Sequence, residues 1–288
     1  MRHLSPRELA DALGVSESSL KRWVDADKIV AFRTEGGHRR IAVTEAVRFI
    51  RDTHAPIARP DLLGLPELAV TQRATLAPSD RLLDFLLEGD VDGTRGFLLA
   101  RYLGGASIAE LADGPIKEAM HALGEIWRHD EKGVFVEHRG TDACLQAIAY
   151  LRTMLDTPLN GPLALGAGPE DDPYIIPPVL ASMVTTVAGL RTVNLGPDTP
   201  LSALQEAVHH HHPRLLWMSA STPINPSRAR AIARWLGTLD TTTDVVGGRH
   251  GDALAADQPS VRYLETMAEL AAVAAEIVAP ATNVAARR

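Results

Sequence analysis

The chain has 288 residues, which at ~150 residues per domain points to two compact units or three small ones, enough to bury a core without a metal or disulfide staple. Hydrophobic residues make up 45% and charged residues 23%, the texture of a water-soluble globular protein. The one cysteine, Cys144, excludes an internal disulfide and a multi-cysteine zinc site. Charge is uneven: residues 1–53 carry ten Lys/Arg against eight Asp/Glu, the remainder 19 against 28, so any polyanion contact is expected near the N-terminus. The first residues form no apolar leader. The longest apolar stretch, Tyr174 to Leu190, holds two prolines and falls short of a membrane span, so a cytoplasmic location is expected.

Ser5-Pro6-Arg7-Glu8 reads as a helix start, with Ser5 as N-cap, proline in the first turn and Glu8 completing a capping box. Leu9, Ala10 and Leu13 give an apolar face, and Gly14 the left-handed stop. Ser16 then caps a second helix with Leu20, Trp23 and Val24 inward and Ser18, Ser19, Lys21 and Arg22 outward. Two helices this tightly joined predict a helix-turn-helix, whose second helix can lie in a major groove. Arg33 precedes a Gly36-Gly37 hairpin turn, and His38, Arg39 and Arg40 follow it, placed to grip phosphates.

The run Leu4 to Ile41, with its Leu-Gly-Val-Ser turn, Arg22-Trp23 pair and Gly-Gly-His-Arg-Arg wing, resembles the DNA-binding domain of MerR-family regulators. The resemblance implies that Ser18, Ser19, Lys21 and Arg22 belong to a recognition helix and that Arg33, His38, Arg39 and Arg40 belong to the wing. It also implies dimeric binding to a pseudo-palindromic double-stranded DNA operator. No long heptad helix follows residue 53, so dimerisation is expected to come from elsewhere.

Residues 54–76, broken by Pro56, Pro60 and Pro66, read as a linker with a short segment at 61–72. Helical periodicity resumes at Pro78, and further segments at about 90–103, 106–128 and 134–156 predict a four-helix bundle over 77–160. Trp127 falls in this region, Glu137-His138 follows ten residues later, and Cys144 lies about two turns beyond His138. From residue 161 short apolar runs alternate with helical segments. Strands are predicted at 162–166, 192–195, 215–219, 244–246 and near 260–264, with a last helix at about 268–279: a doubly wound, Rossmann-like parallel sheet. Adjacent histidines on a helix point in different directions, so His209-His210-His211-His212 reads as a solvated helix end and not a metal site.

Three loops at the carboxyl ends of these strands carry Asp172-Pro173-Tyr174, Ser219-Ala220-Ser221 and Gly247-Gly248. Their spacing resembles the cobalamin-binding fold, with its Asp-x-His-x-x-Gly, Ser-x-Leu and Gly-Gly pattern. Bundle and sheet together resemble the cobalamin-binding module of MerR-type light-sensing repressors, in the same domain order over nearly the whole chain. The resemblance implies that Trp127, Glu137 and His138 cap the upper face of a corrin. It implies that the loop of Asp172 and position 174 presents the lower cobalt ligand, and that Ser219, Ser221, Gly247 and Gly248 line a pocket for the nucleotide tail. Tyr174 stands where that pattern has histidine, Pro177 where it has glycine, and Ser221 where it has leucine. A phenol is a poorer cobalt ligand than imidazole.

Three readings stay open. The chain binds cobalamin (adenosylcobalamin among its forms) with its own base attached or through His138; or it binds another tetrapyrrole, a bilin such as biliverdin, with Cys144 as a conceivable anchor; or the module is ligand-free and serves oligomerisation or partner binding. All three make the chain a DNA-binding transcriptional regulator and a homo-oligomer, dimer or tetramer. The first two imply a repressor that senses light or a ligand through a chromophore held between bundle and sheet domain. The rival class, a corrinoid enzyme module, is not expected: the sequence holds no substrate barrel, nucleophile elbow or phosphate loop.

Overall fold

The computed structural model describes residues 3–71, 78–127, 133–239, 243–256 and 258–279, with side chains described for all of these except 70, 71, 78–80 and 127. Residues 72–76 of the expected linker, residue 77 at the start of the expected bundle and the Trp127 side chain therefore lie outside the described residues. The chain divides into two compact units, Met1–Leu155 and Asp156–Arg288.

The first unit begins with β1 (His3–Leu4), α1 (Pro6–Leu13), α2 (Glu17–Asp25), β2 (Phe32–Arg33), β3 (Arg39–Ala42) and α3 (Val43–Thr53). Ser5 and Glu8 form the expected capping box, and Gly14 ends α1 at φ 67°. The Ser16 side chain caps α2 by accepting the Ser19 N–H. The strands pair antiparallel in the order β1-β3-β2, which makes a wing beside the helix pair. Leu4, Leu9, Leu13, Leu20, Ile41 and Ile50 bury the head's core. Glu45 of α3 ties the segment before the wing to that helix, because its carboxylate accepts the Val30 N–H and the Arg48 guanidinium. Burial opposes the charge on Glu45, but Arg48 and the Val30 N–H outweigh it and hold the carboxyl below its usual range.

Residues 54–71 differ from a free linker. The Ala58 and Arg59 N–H groups donate to the Ala12 carbonyl at 2.8 and 3.0 Å, sealing the end of α1. Two short helices follow, α4 (Pro60–Leu63) and α5 (Leu68–Thr71), and Leu63, Leu65 and Leu68 are buried. Three leucines within six residues supply enough apolar area to hold the segment down. The bundle comprises α6 (Pro78–Glu88), α7 (Val91–Leu103), α8 (Ile108–Leu111), α9 (Lys117–Trp127) and α10 (Gly133–Arg152). The expected single helix over 106–128 is broken by a π turn at Ala112–Ile116, where Gly114 leaves helical geometry and Pro115 lacks the N–H a continuous helix needs. Gly140 lets α10 approach α6 closely: a Cβ there would lie 2.8 Å from the Leu86 carbonyl oxygen.

The second unit is a five-stranded sheet in the order β5-β4-β6-β7-β8, every neighbour parallel. Its strands are β4 (Leu163–Ala167), β5 (Arg191–Asn194), β6 (Leu215–Ser219), β7 (Thr243–Gly247) and β8 (Val261–Leu264), each within two residues of its expected place. The helices are α11 (Ile176–Val187), α12 (Leu201–His211), α13 (Pro226–Leu236), α14 (Asp252–Ala255) and α15 (Met267–Val278). Leu165, Leu216, Met218 and Val246 face a core shared with Leu204 of α12, Ile232 of α13 and Leu254 of α14. Strand alternation puts Gly166, Trp217 and Val245 on the other face, covered by α11 and α15. The fold class is thus mixed: a helical N-terminal unit with a winged helix-turn-helix, and an α/β unit built on a parallel sheet.

Asp244 sits in β7 at 1% exposure, and its Oδ1 has no hydrogen-bond partner. Burial pushes its carboxyl up to about 7. Unfolded, an aspartate ionises near ~3.9, so between these values the native state holds a proton that the unfolded chain has lost, and stability falls as pH rises. Asp244→Asn is expected to stabilise the protein at pH 8 by about 2–4 kcal/mol in urea unfolding. The gain should shrink toward zero near ~pH 4, and a gain independent of pH would count against a buried titrating Asp244.

Candidate functional site

The N-terminal end of α2 and the wing form the candidate DNA face. Ser16 Oγ hydrogen-bonds the hydroxyls of Ser18 and Ser19 at 2.9 Å each, and Arg22 donates to Ser19 Oγ at 3.2 Å. Lys21 and Arg22 are exposed, whereas Trp23 turns inward against Phe49, ring centroids 5.1 Å apart. In the wing, the Thr34 and His38 backbones close the hairpin, and Arg33 reaches back to the Gly37 carbonyl at 3.4 Å. Arg33 and His38 are exposed; Arg39 and Arg40 are half-buried. Arg39 pairs with Asp25, the last residue of α2, at 2.8 Å, and Asp25, Arg33 and Arg39 line one cleft of about 350 Å³. A partly exposed pair of this kind is worth about 0–1 kcal/mol, so a phosphate can displace Asp25 from Arg39 at little cost. Asp25 escaped the sequence reading because nothing local marks a carboxylate that meets an arginine fourteen residues later.

A second feature had no sequence signature. Arg51 of α3 donates to the Tyr102 and Ala106 carbonyls and, at 3.3 Å, to that of Gly105, while its guanidinium lies 4.2 Å from the centre of the Tyr102 ring. Tyr102 lies in the last turn of α7 and Gly105 and Ala106 just beyond it, so the cation meets the negative end of the helix dipole. Through Arg51 the head is fastened to the bundle.

Within the bundle, Trp127 closes α9, and Glu137 and His138 lie in the second turn of α10. Glu137 accepts the Thr141 hydroxyl at 2.9 Å and stands 3.5 Å from His138 Nε2, whose side chain is exposed. Cys144 is fully buried, and burial pushes its thiol up to about 12, so it offers no thiolate for attaching a ligand.

At the carboxyl edge of the sheet, Asp172 is 1% exposed. Its carboxylate accepts the Tyr174 N–H at 3.1 Å and the N–H groups of Ser221 and Thr222. One side chain thus joins the loops after β4 and β6. Arg228 of α13 pairs with Glu170 and Asp171, and Asp171 N–H donates to Asp198. Ser219 is buried at the end of β6 and Ser221 is half-buried. The loops after β6 and β7 are stitched by Ala220 N–H to the Gly247 carbonyl and His250 N–H to the Ala220 carbonyl. Gly248 (φ 87°) presses on that peptide: a Cβ would lie 2.4 Å from the Ala220 oxygen. Tyr174 and Ile175 project outward, 55% and 45% exposed. The four-histidine run ends α12 exposed to solvent. Among the described residues no group of three or more His, Cys, Asp or Glu is placed to hold a metal ion, and no helix is long and apolar enough to cross a membrane.

Residues 4–53 match the family described as a helix-turn-helix domain. No curated protein matches the chain. Among solved structures it is similar to the monomethylamine corrinoid protein of Methanosarcina barkeri, with 20% identity, 69% of this chain and 98% of that one covered, and a TM-score of 0.55. Weaker similarity links it to the methanol:cobalamin methyltransferase complex MtaBC of the same organism (19% identity, 73% and 88% covered, TM-score 0.37). It also links it to a cobalamin-binding protein of Desulfitobacterium hafniense DCB-2 (15% identity, 71% and 100% covered, TM-score 0.34). The first of these shows the fold: the chain joins a helix-turn-helix domain to the fold of a corrinoid protein. The residues do not fit a corrinoid whose cobalt takes an imidazole from the loop after β4. Tyr174 supplies a phenol there, and Asp172 is already engaged by three backbone N–H groups.

If the basic face holds DNA, Arg40→Ala should weaken binding across all sequences and lower the log K against log salt slope by about one. Asp25→Asn, which frees Arg39, should raise affinity several-fold at low salt. Fluorescence anisotropy between 50 and 200 mM salt, as order-of-magnitude bounds, reads both. Arg51→Ala should cost about 1–3 kcal/mol in urea unfolding and speed amide exchange at the end of α7; unchanged exchange there would show that Arg51 does not fasten the joint.

Proposed function

We propose that the chain is a DNA-binding transcriptional regulator. Its winged head holds a double-stranded operator, and its second unit is a sensing and assembly module without a catalytic role. The observation that carries this reading is the pairing, in one chain, of a helix-turn-helix domain with the fold of a corrinoid protein. Two heads on one operator bind with a high effective concentration, so a change of oligomeric state is a sufficient lever on DNA affinity. Any signal works by binding the two states unequally.

In its finer form the proposal is a cytoplasmic, MerR-type repressor responsive to light or ligand, assembled as a dimer or tetramer, whose ligand is a tetrapyrrole. The fold likeness supports cobalamin, adenosylcobalamin included, over a bilin such as biliverdin, and so does the burial of Cys144. Ser219, Ser221, Gly247 and Gly248 at the sheet edge would hold it, with Trp127, Glu137 and His138 in the capping role that the resemblance implies. A second reading, a ligand-free assembly module, is supported by the closed hydrogen bonding of Asp172 and by Tyr174 in the histidine position.

The test is to incubate the purified full chain separately with adenosylcobalamin and with biliverdin, desalt it, and record the visible spectrum, while selecting bound DNA from a random pool. Retained cobalamin with a spectrum altered by Trp127→Ala or His138→Ala is the expected result. Retention of neither ligand with sequence-specific DNA binding intact installs the second reading. No sequence selected from the pool overturns the regulator.

A further inference from the structure

Trp217 is the largest fully buried side chain among the described residues, and it stands in the middle of β6, a strand otherwise of Leu, Met and Ser. It is paired in register with Gly166 of β4, and its indole lies flat on that glycine: a Cβ on Gly166 would fall 2.1 Å from two ring atoms. Alternation puts Trp217 on the same face of the sheet as Ser219, two residues further toward the carboxyl edge, while Gly247 pairs with Ser219 on β7. A group entering the sheet unit below Ser219 on this face, over Gly166, therefore meets the indole within one residue pair of the rim. The indole Nε1 is buried without a hydrogen-bond partner, which marks the ring as filling space and not as closing a polar network.

Cobalamin carries on its lower side a nucleotide tail ending in a benzimidazole, a fused six- and five-membered ring system of nearly the size of indole. A protein that takes this base into its interior needs an empty slot of that shape. We propose that the sheet unit carries its own bicyclic occupant: Trp217 fills the space below Ser219, over Gly166, so a corrinoid held at this edge keeps its nucleotide base outside the protein. Tyr174 agrees with this, since no imidazole from the loop after β4 would compete with the base for the metal. The inference rests on the corrinoid reading above and deepens it, from a ligand class to a mode of binding.

The experiment compares hydroxocobalamin with aquacobinamide, which lacks the nucleotide, by titrating each into the full chain and recording its visible spectrum. The expected result is binding of the two within about threefold, with cobalamin showing the spectrum of the form whose base stays on cobalt. Trp217→Gly should shift the preference tenfold or more toward cobalamin, while Trp217→Phe, which keeps a ring in place, should not. Cobalamin bound by the unaltered chain with its base displaced, or preferred more than tenfold over cobinamide, overturns the inference while leaving the corrinoid reading intact. Binding of neither overturns the corrinoid reading and the inference with it.

Discussion

A single guanidinium fastens the head of the N-terminal unit to its bundle. The last carbonyls of any helix lack partners within it, and at the end of α7 the carbonyls of Tyr102, Gly105 and Ala106 turn toward Arg51. Hydrogen bonds from a charged donor contribute about 1.5–3 kcal/mol each at most, and the stacking of Arg51 on Tyr102 adds to them. With Ala58 and Arg59 sealing α1 and Leu63, Leu65 and Leu68 buried beside them, the head is seated on the bundle and not tethered to it. The placement of the head on α7 is therefore set by bonded and buried contacts and not by a free linker.

The parts of this architecture written in local chemistry were legible in the sequence. Ser5 with Glu8, Gly14, Ser16 and the Gly36-Gly37 turn each specify a backbone state through immediate neighbours, and each is found as read. The strands of the second unit were legible because buried parallel strands are continuous apolar runs. What escaped notice depends on partners far along the chain. Arg51 reaches residues 51 to 55 positions away, and the proline-rich stretch after His54 looked free because its prolines, not its three leucines, dominate the local pattern. The π turn at Gly114-Pro115 had a local signal, yet the apolar period runs through it undisturbed.

The candidate site divides the same way. The loop positions Asp172, Ser219 and Gly247 were found from spacing, and the structure brings all three to one edge of the sheet. Their state was not legible. Asp172 and Asp244 are equally buried, yet one carboxylate is satisfied by three backbone N–H groups and the other has an oxygen with none. Nothing in composition separates a carboxylate that organises two loops from one that burdens a strand. Trp217 was visible as an aromatic residue, but its meaning required the register that sets it over Gly166.

The second glycine of the Gly-Gly pair has a bearing on evolution. Gly248 is held at positive φ against the Ala220 peptide, whose own N–H and carbonyl are committed to Gly247 and His250. Any other residue there would have to displace backbone, so selection for a folded sheet unit is enough to retain the glycine. The backbone alone is therefore reason enough for glycine at this position, whether or not a ligand is held beside it.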